Sequence, residues 1–480
     1  MVPTVKGGAM TAPTGWYLGP SRAPGTAAAV PEPKDDPFYK YEGPLEMDPG
    51  TVLRTRRTAY HVLGVQTALK ATQLLYRSTN QGGKPTVNVT SIISPLVKPN
   101  KTKVISYQSA YDSLNQSDEP SYAISGGDPT LTRIVVDVEL AVYGAFLLDG
   151  YAVIVPDIEG QRADFAAGPE YGMNTLDSIR AVFSKKSTLA LPDDAQVAML
   201  GYSGGALATE WAAELAPTYA PDVNKRLIGA AMGGLLVHPA HNLHYIENTW
   251  FWGGVMLMAL VGIVRAFDRE TEFKECLSDN GVKLFDAMKT KSIVEVLGQY
   301  GDPLKQTGLK WADLAKPAYP TPESIPLYVE CVNKLIMGTG GDPHGATTPT
   351  IPLFIGQGAN GELEGTPGNK KDIGAGDGVM IAGDVRTLAR GYCAEGTTVW
   401  YEQYDEHSHI SSLLLWVPHS IDWIKQRFED QPAPQHCLTK AIAWIKQRFK
   451  GQPARPAAPP APQNCSSIKP GNNLDPIPVP

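Results

Sequence analysis

Val197-Ala198-Met199-Leu200-Gly201-Tyr202-Ser203-Gly204-Gly205-Ala206-Leu207-Ala208 decides how this chain is read. The apolar run before Gly201 suits a buried strand, and the residues after Gly205 favour a helix. Between them, glycines bound a sharp turn with a serine at its tip. This strand–turn–helix is the setting a G-x-S-x-G nucleophile elbow requires. The glycines remove side chains that would clash at so tight a reversal. The N–H of Gly204 then points to where an oxyanion would form. In a chain with 47 glycines the five-residue pattern also arises by chance, so a base and an acid must be found elsewhere.

Outward from the elbow, strand and helix patterns alternate. Thr72 to Ser78, Thr86 to Ser94 and Lys103 to Tyr107 read as strands that open the sheet in antiparallel fashion. Thr130 to Leu148 reads as a helix, Tyr151 to Val155 as a buried strand, Asn174 to Lys185 as a helix and Leu227 to Met232 as a strand. Residues 235–348 interrupt the alternation with apolar helical stretches at Trp250 to Phe267, Val282 to Leu297 and Ile325 to Met337. The sheet resumes at Ile351 to Ile355. A glycine-rich loop, a helix (Val379 to Tyr392), a strand (Thr397 to Tyr404) and a helix (Ser411 to Phe428) follow. The pattern predicts an α/β fold, a doubly wound, mostly parallel sheet built from 51–234 and 349–428. Residues 235–348 are expected to form a helical cap or lid over the crevice at the strand ends. Residues 1–50 read as an extended surface arm. At the far end, Ile421-Asp-Trp-Ile-Lys-Gln-Arg-Phe428 recurs as Ile442-Ala-Trp-Ile-Lys-Gln-Arg-Phe449. Residues 429–480 are therefore taken as a duplicated helix and a proline-rich tail.

The 480 residues carry a net charge of −7, and only 19% are charged. No basic run suits nucleic acid. The longest apolar stretch, Trp250 to Val264, is broken by three glycines and too short to span a bilayer. The N-terminus lacks a basic region followed by an apolar one, so an exported protein would be present in its mature form. The five cysteines, Cys276, Cys331, Cys393, Cys437 and Cys465, form no C-x-x-C. Wide spacing of few cysteines suits one or two structural disulfides in a secreted protein. No metal site and no cofactor are expected.

In the chain order serine, acid, histidine, the base should follow the last strand. Only His407 and His409 lie there. The acid should lie beyond Ile355, where Glu362, Glu364, Asp372 and Asp377 are the candidates. Asp377 would equally serve as a helix N-cap.

Several further stretches fit one family. Asp35-Asp-Pro-Phe-Tyr39, Tyr107-Gln-Ser-Ala-Tyr-Asp112, Asp157-Ile-Glu-Gly160 followed by Ala166-Ala-Gly, Gly201-Tyr-Ser-Gly-Gly205 and Trp423-Ile-Lys-Gln resemble the secretory lipase family, the Candida antarctica lipase A type with actinobacterial members. The resemblance runs from about Asp35 to Phe428. It implies an α/β-hydrolase fold with a helical cap, and action on triacylglycerols and other carboxylic esters. It also implies Ser203 as nucleophile, His409 as base and Asp377 as acid, the last keeping register with Tyr392-Cys393. Asp112 and the Gly204 N–H would form the oxyanion hole.

A secreted serine ester hydrolase is thus expected, with a lipid or small ester as substrate and transient contact with a lipid interface through the cap. A short-chain carboxylesterase, acyltransferase or peptidase would share the triad, and an inactive binding protein would share the fold. Trp250, Phe251 and Trp252 are expected to contact the acyl chain. The expected disulfides are Cys276–Cys331 in the cap, and Cys393 with Cys437 or Cys465.

Overall fold

Nine strands line up side by side in one sheet. The computed structural model describes residues 30–127, 131–187, 189–339, 344–429 and 465–480. Its strands are β1 (Val52–Val62), β2 (Val65–Thr79), β3 (Pro85–Ser94), β4 (Lys103–Gln108), β5 (Ala152–Pro156), β6 (Gln196–Tyr202), β7 (Leu227–Gly233), β8 (Leu353–Gly358) and β9 (Val399–Tyr404). The order across the sheet is β1-β2-β3-β5-β4-β6-β7-β8-β9. The first three strands are antiparallel, and β3 meets β5 antiparallel. From β5 to β9 all pairings are parallel. The central strands are apolar at nearly every position because both faces are covered.

Strand β1 is not apparent in the sequence. Arg54, Arg56 and Arg57 break its apolar alternation, yet it pairs with β2 along its length. The two are joined at Leu63-Gly64, both with positive φ (50° and 73°), as a tight two-residue hairpin turn requires. The expected surface arm is docked where it is described. Phe38 is fully buried, Arg56 stacks on its ring at 4.1 Å, and Tyr39 Oη lies 2.8 Å from Ser121 Oγ.

Crossover helices α1 (Leu131–Leu148), α2 (Gly168–Phe183) and α3 (Gly204–Tyr219) connect the parallel strands. Helix α2 starts well before the predicted Asn174, because Pro169 suits its first turn. Between β7 and β8 the chain makes α4 (Pro239–Ile246), α5 (Gly253–Ala266), α6 (Asp279–Met288) and α7 (Pro326–Asn333), which share a second apolar core. Helices α8 (Ala382–Ala394) and α9 (His409–Arg427) complete the fold. The first copy of the duplicated sequence lies at the end of α9, where buried Trp423 packs on Phe354. The second copy lies outside the described residues. Among those residues, no helix is long and apolar enough to cross a membrane.

Two joints tie the layers together. Arg265 at the end of α5 donates to the carbonyls of Leu114, Arg162 and Ala163 on the sheet side, and to Lys289 O beside α6. The final segment crosses from α8 to α7. Cys465 is bonded to Cys393, Asn472 Nδ2 donates to Asp384 Oδ1 at 2.7 Å, and Ile477 exchanges two hydrogen bonds with the Asn333 side chain. The expected Cys276–Cys331 bond is not formed, which corrects that pairing. Cys276 Sγ turns back onto the Glu272 carbonyl one turn earlier, and both thiols are buried and free. They serve as small apolar side chains of the second core. Burial pushes the Cys331 thiol up to about 12, far from thiolate reactivity. Cys437 lies outside the described residues.

Candidate active site

Ser203 stands between the end of β6 and the start of α3, with φ 55° and ψ −120°. A positive φ is rare for serine and is held by its surroundings. Its N–H donates to Gly233 O at 2.8 Å, and its carbonyl accepts from Leu207 in α3. The neighbouring glycines are required by contact. A Cβ on Gly205 would lie 2.1 Å from Gln108 O, and one on Gly204 would lie 1.8 Å from Asp112 Oδ1. The turn therefore closes only with bare backbone at these positions.

His409 is the first residue of α9, behind an N-cap by Ser408. Its Nε2 lies 2.8 Å from Ser203 Oγ, and its Nδ1 lies 2.9 Å from Asp377 Oδ2. The backbone repeats the link, since His409 N–H donates to Asp377 O at 2.7 Å. Tyr202 Oη donates to His409 O at 2.6 Å. Asp377 is fully buried. Its Oδ1 accepts from the N–H groups of Val379 and Met380, and its Oδ2 also accepts from Gln357 Nε2 at 2.9 Å. Burial disfavours a charged His409. The charge and hydrogen bond of Asp377, with Glu364 and Asp112 nearby, outweigh that and raise its pKa above 6.5.

Asp112, also at positive φ (34°), reaches over Gly204 from the loop after β4. Burial pushes its carboxyl up to about 7, against the opposing pull of His409. Its Oδ1 has no hydrogen-bond partner among the described residues. Asp112 and Ser203 share a narrow cavity of about 50 Å³ with apolar residues such as Leu243, Trp252, Val255 and Ile263.

The structure thus gathers Ser203, His409, Asp377, Asp112 and Gly204 at one point. His407 stays apart, its carbonyl accepting from Ala359 and Asn360. Asp372 lies in an exposed turn at positive φ, and Glu362 is exposed. Of the three aromatic candidates, only Trp252 lines the cavity. Phe251 packs on Trp250 and Trp252, and Trp250 lies against Gly301 and Gly365. Trp250 and Phe251 thus lie outside the lining of this cavity, because consecutive residues in the turn before α5 face different ways. Two contributors escape sequence reasoning: Gln357 braces Asp377 and Tyr202 braces His409. Glu364, one of the four candidate acids, accepts instead from Trp252 Nε1 and Ile410 N. The only available signal for Gln357 was a polar residue inside an otherwise apolar strand.

A serine elbow at the end of a central parallel strand, with an acid and a histidine after later strands, belongs to an α/β-hydrolase. The solved structure of Candida antarctica lipase A in its closed state agrees. It aligns with a TM-score of 0.71 at 25% identity, covering 84% of this chain and 88% of that one. The chain belongs to the secretory lipase family, whose model matches residues 128–436. It is similar to Lipase 5 of Candida albicans, at 30% identity over 421 residues, covering 85% of this chain and 83% of the relative. It is also similar, at 29% identity over 84% of each, to a Mycobacterium tuberculosis protein named as a probable inactive lipase, MT1628.

Proposed function

We propose that this protein is a secreted serine ester hydrolase that cleaves carboxylic esters, triacylglycerols among them, through an acyl-enzyme. One observation carries the reading: an unbroken hydrogen-bond relay from Ser203 Oγ through His409 to buried Asp377, at 2.8 and 2.9 Å, that opens on an apolar cavity. Ser203 Oγ attacks the ester carbonyl while His409 Nε2 takes its proton. Asp377 fixes the tautomer of His409 and stabilises the imidazolium. The proton then passes to the departing alkoxide. Water, activated by the same histidine, attacks the acyl-enzyme and releases the acid.

The oxyanion is stabilised by the Gly204 N–H at the start of α3 and by Asp112. A carboxyl raised to about 7 is a hydrogen-bond donor below that pH, and it needs no charge to reach the developing O⁻. The absence of a partner on Oδ1 leaves it free for that use.

Residues 235–348 act as the cap. A cavity of about 50 Å³ is much smaller than the few hundred Å³ of a usual ligand site, so an acyl chain enters only when the cap moves. Its apolar lining favours an acyl chain over a peptide. The family's description as secretory and the Cys393–Cys465 disulfide support an exported protein. The complete relay argues against an inactive member.

Ser203→Ala is expected to abolish hydrolysis of p-nitrophenyl esters while leaving the folding transition in place. Hydrolysis persisting in that variant would remove the serine mechanism. A series from acetate to oleate, read as kcat/KM, tests the cap. Rising values with chain length support an acyl tunnel, and a fall beyond short acids marks a carboxylesterase.

A further inference from the structure

Glu364 stands out because the relay does not need it, yet it is built into the relay's support. It is 6% exposed, in a single helical turn at Glu362–Glu364. Both of its oxygens are engaged. Oε1 accepts from Ile410 N at 2.8 Å, and Oε2 accepts from the indole Nε1 of Trp252 at 3.0 Å. Ile410 is the second residue of α9, so the carboxylate meets one of the free N–H groups and the positive end of the helix that begins at His409. Trp252 precedes α5 in the cap, and its ring stands edge-on to the His409 ring at 5.6 Å and 89°.

We propose that Glu364 is a positioning residue for His409, fixing the start of α9 and holding Trp252 against the imidazole, so that the base is set only while cap and core are joined. The inference rests on His409 acting as the base. Two carboxylates then flank the imidazole in different ways. Asp377 bonds to Nδ1, while Glu364 acts through the helix start and through its charge.

The groups facing His409 are Asp377 before α8, Asp112 after β4, Glu364, and the hydroxyls of Ser203 and Tyr202. Asp377 and Glu364 are also faced by Tyr245 of α4. Three of these are acids and none is a cation, so each of them that is ionised favours the imidazolium. Removing the charge of Glu364 must lower the His409 pKa, and the acid limb of kcat/KM must move to lower pH.

The test uses Glu364→Gln and Trp252→Phe in the full chain. The acid limb of p-nitrophenyl butyrate hydrolysis and the ring-nitrogen titration of His409, followed by NMR in ¹⁵N-histidine protein, are measured together. Glu364→Gln is expected to shift both down by about half a pH unit or more, and to lower kcat with little change in KM. A folded Glu364→Gln with both titrations unmoved overturns the proposal. Should that variant not fold, Trp252→Phe decides. It keeps an aromatic ring but removes the indole N–H and frees the carboxylate; a several-fold loss of kcat with a moved His409 titration is expected, whereas wild-type kcat with an unmoved titration overturns the proposal. If the wild-type protein cleaves no ester, the hydrolase reading fails and the NMR titration alone judges Glu364.

Discussion

Asp377 is held by four hydrogen bonds, two from backbone N–H groups, one from Gln357 and one from His409. An amide in its place would have to point an NH₂ at one of these donors, and His409 would lose its tautomer. Asp377→Asn is expected to lower kcat about 10³- to 10⁴-fold in an ester assay with little change in KM. Asp112 should behave differently, because its role needs a donor rather than a charge. Asp112→Ala is expected to cost about 10²-fold or more, and Asp112→Asn much less. The pH profile carries the same information. The wild type should lose activity as pH rises through about 7 and Asp112 ionises, and Asp112→Asn should lack that alkaline limb. Ser203 was legible because the turn that presents it, Gly201 to Gly205 between a strand and a helix, is contiguous in the sequence. The acid was not, since four carboxylates share one loop and only the fold turns Asp377 inward. His407 and His409 are two apart and would share a side of an extended chain. What separates them is the helix that starts at His409, which the sequence pattern placed two residues later.

Helix α5 brings the cap onto the core, and two of its residues can be tested alone. A Cβ on Gly262 would lie 2.2 Å from the Phe165 carbonyl, so α5 touches that loop through bare backbone. Arg265 bonds four carbonyls from three segments. Arg265→Ala leaves those carbonyls, three of them in part-buried bonds, without their charged donor. It is expected to reduce stability by about 2–4 kcal/mol, measured by urea unfolding; an unchanged midpoint would contradict the clamp. Helices α5, α6 and α7 were visible as apolar patches, and α4 was not. Their joints were not visible, because a clamp such as Arg265 reads in sequence as an ordinary basic residue at a helix end. The missed strand β1 has a related cause. Its pairing with β2 is fixed by the Leu63-Gly64 turn, while Arg54 and Arg56 are taken up by the docked arm, on Pro37 O and Asp36.

Across the whole molecule, buried acids stand out. Asp157, Asp164 and Glu139 are each raised to about 7 by burial, and Glu119, Glu159, Glu170 and Glu210 lie well above 4.5 for the same reason. Glu210 and Glu214 converge on the hydroxyl of Tyr392. Each such group binds its proton more tightly in the fold than in the unfolded chain. For Asp157, Asp164 and Glu139 that stabilisation is complete below pH 4 and is lost as pH rises through about 7, and the four glutamates act in the same direction. His238, lowered to about 4 by burial, acts oppositely, contributing above 6.5 and fading towards 4, but it is one group against several. Calorimetry should find a higher Tm at pH 5 than at pH 8, and the reverse order would contradict these burial-raised pKa values. No sequence pattern announces this property, since each acid becomes unusual only by being enclosed. The central claim, that Ser203 is the nucleophile of an ester hydrolase, is tested most directly by titration with a p-nitrophenyl phosphonate ester followed by peptide mapping. The account predicts one equivalent of p-nitrophenol released per chain, the phosphonyl mass on the peptide carrying Ser203, and ester hydrolysis lost in proportion. Labelling elsewhere, or full hydrolysis by the labelled protein, would contradict it.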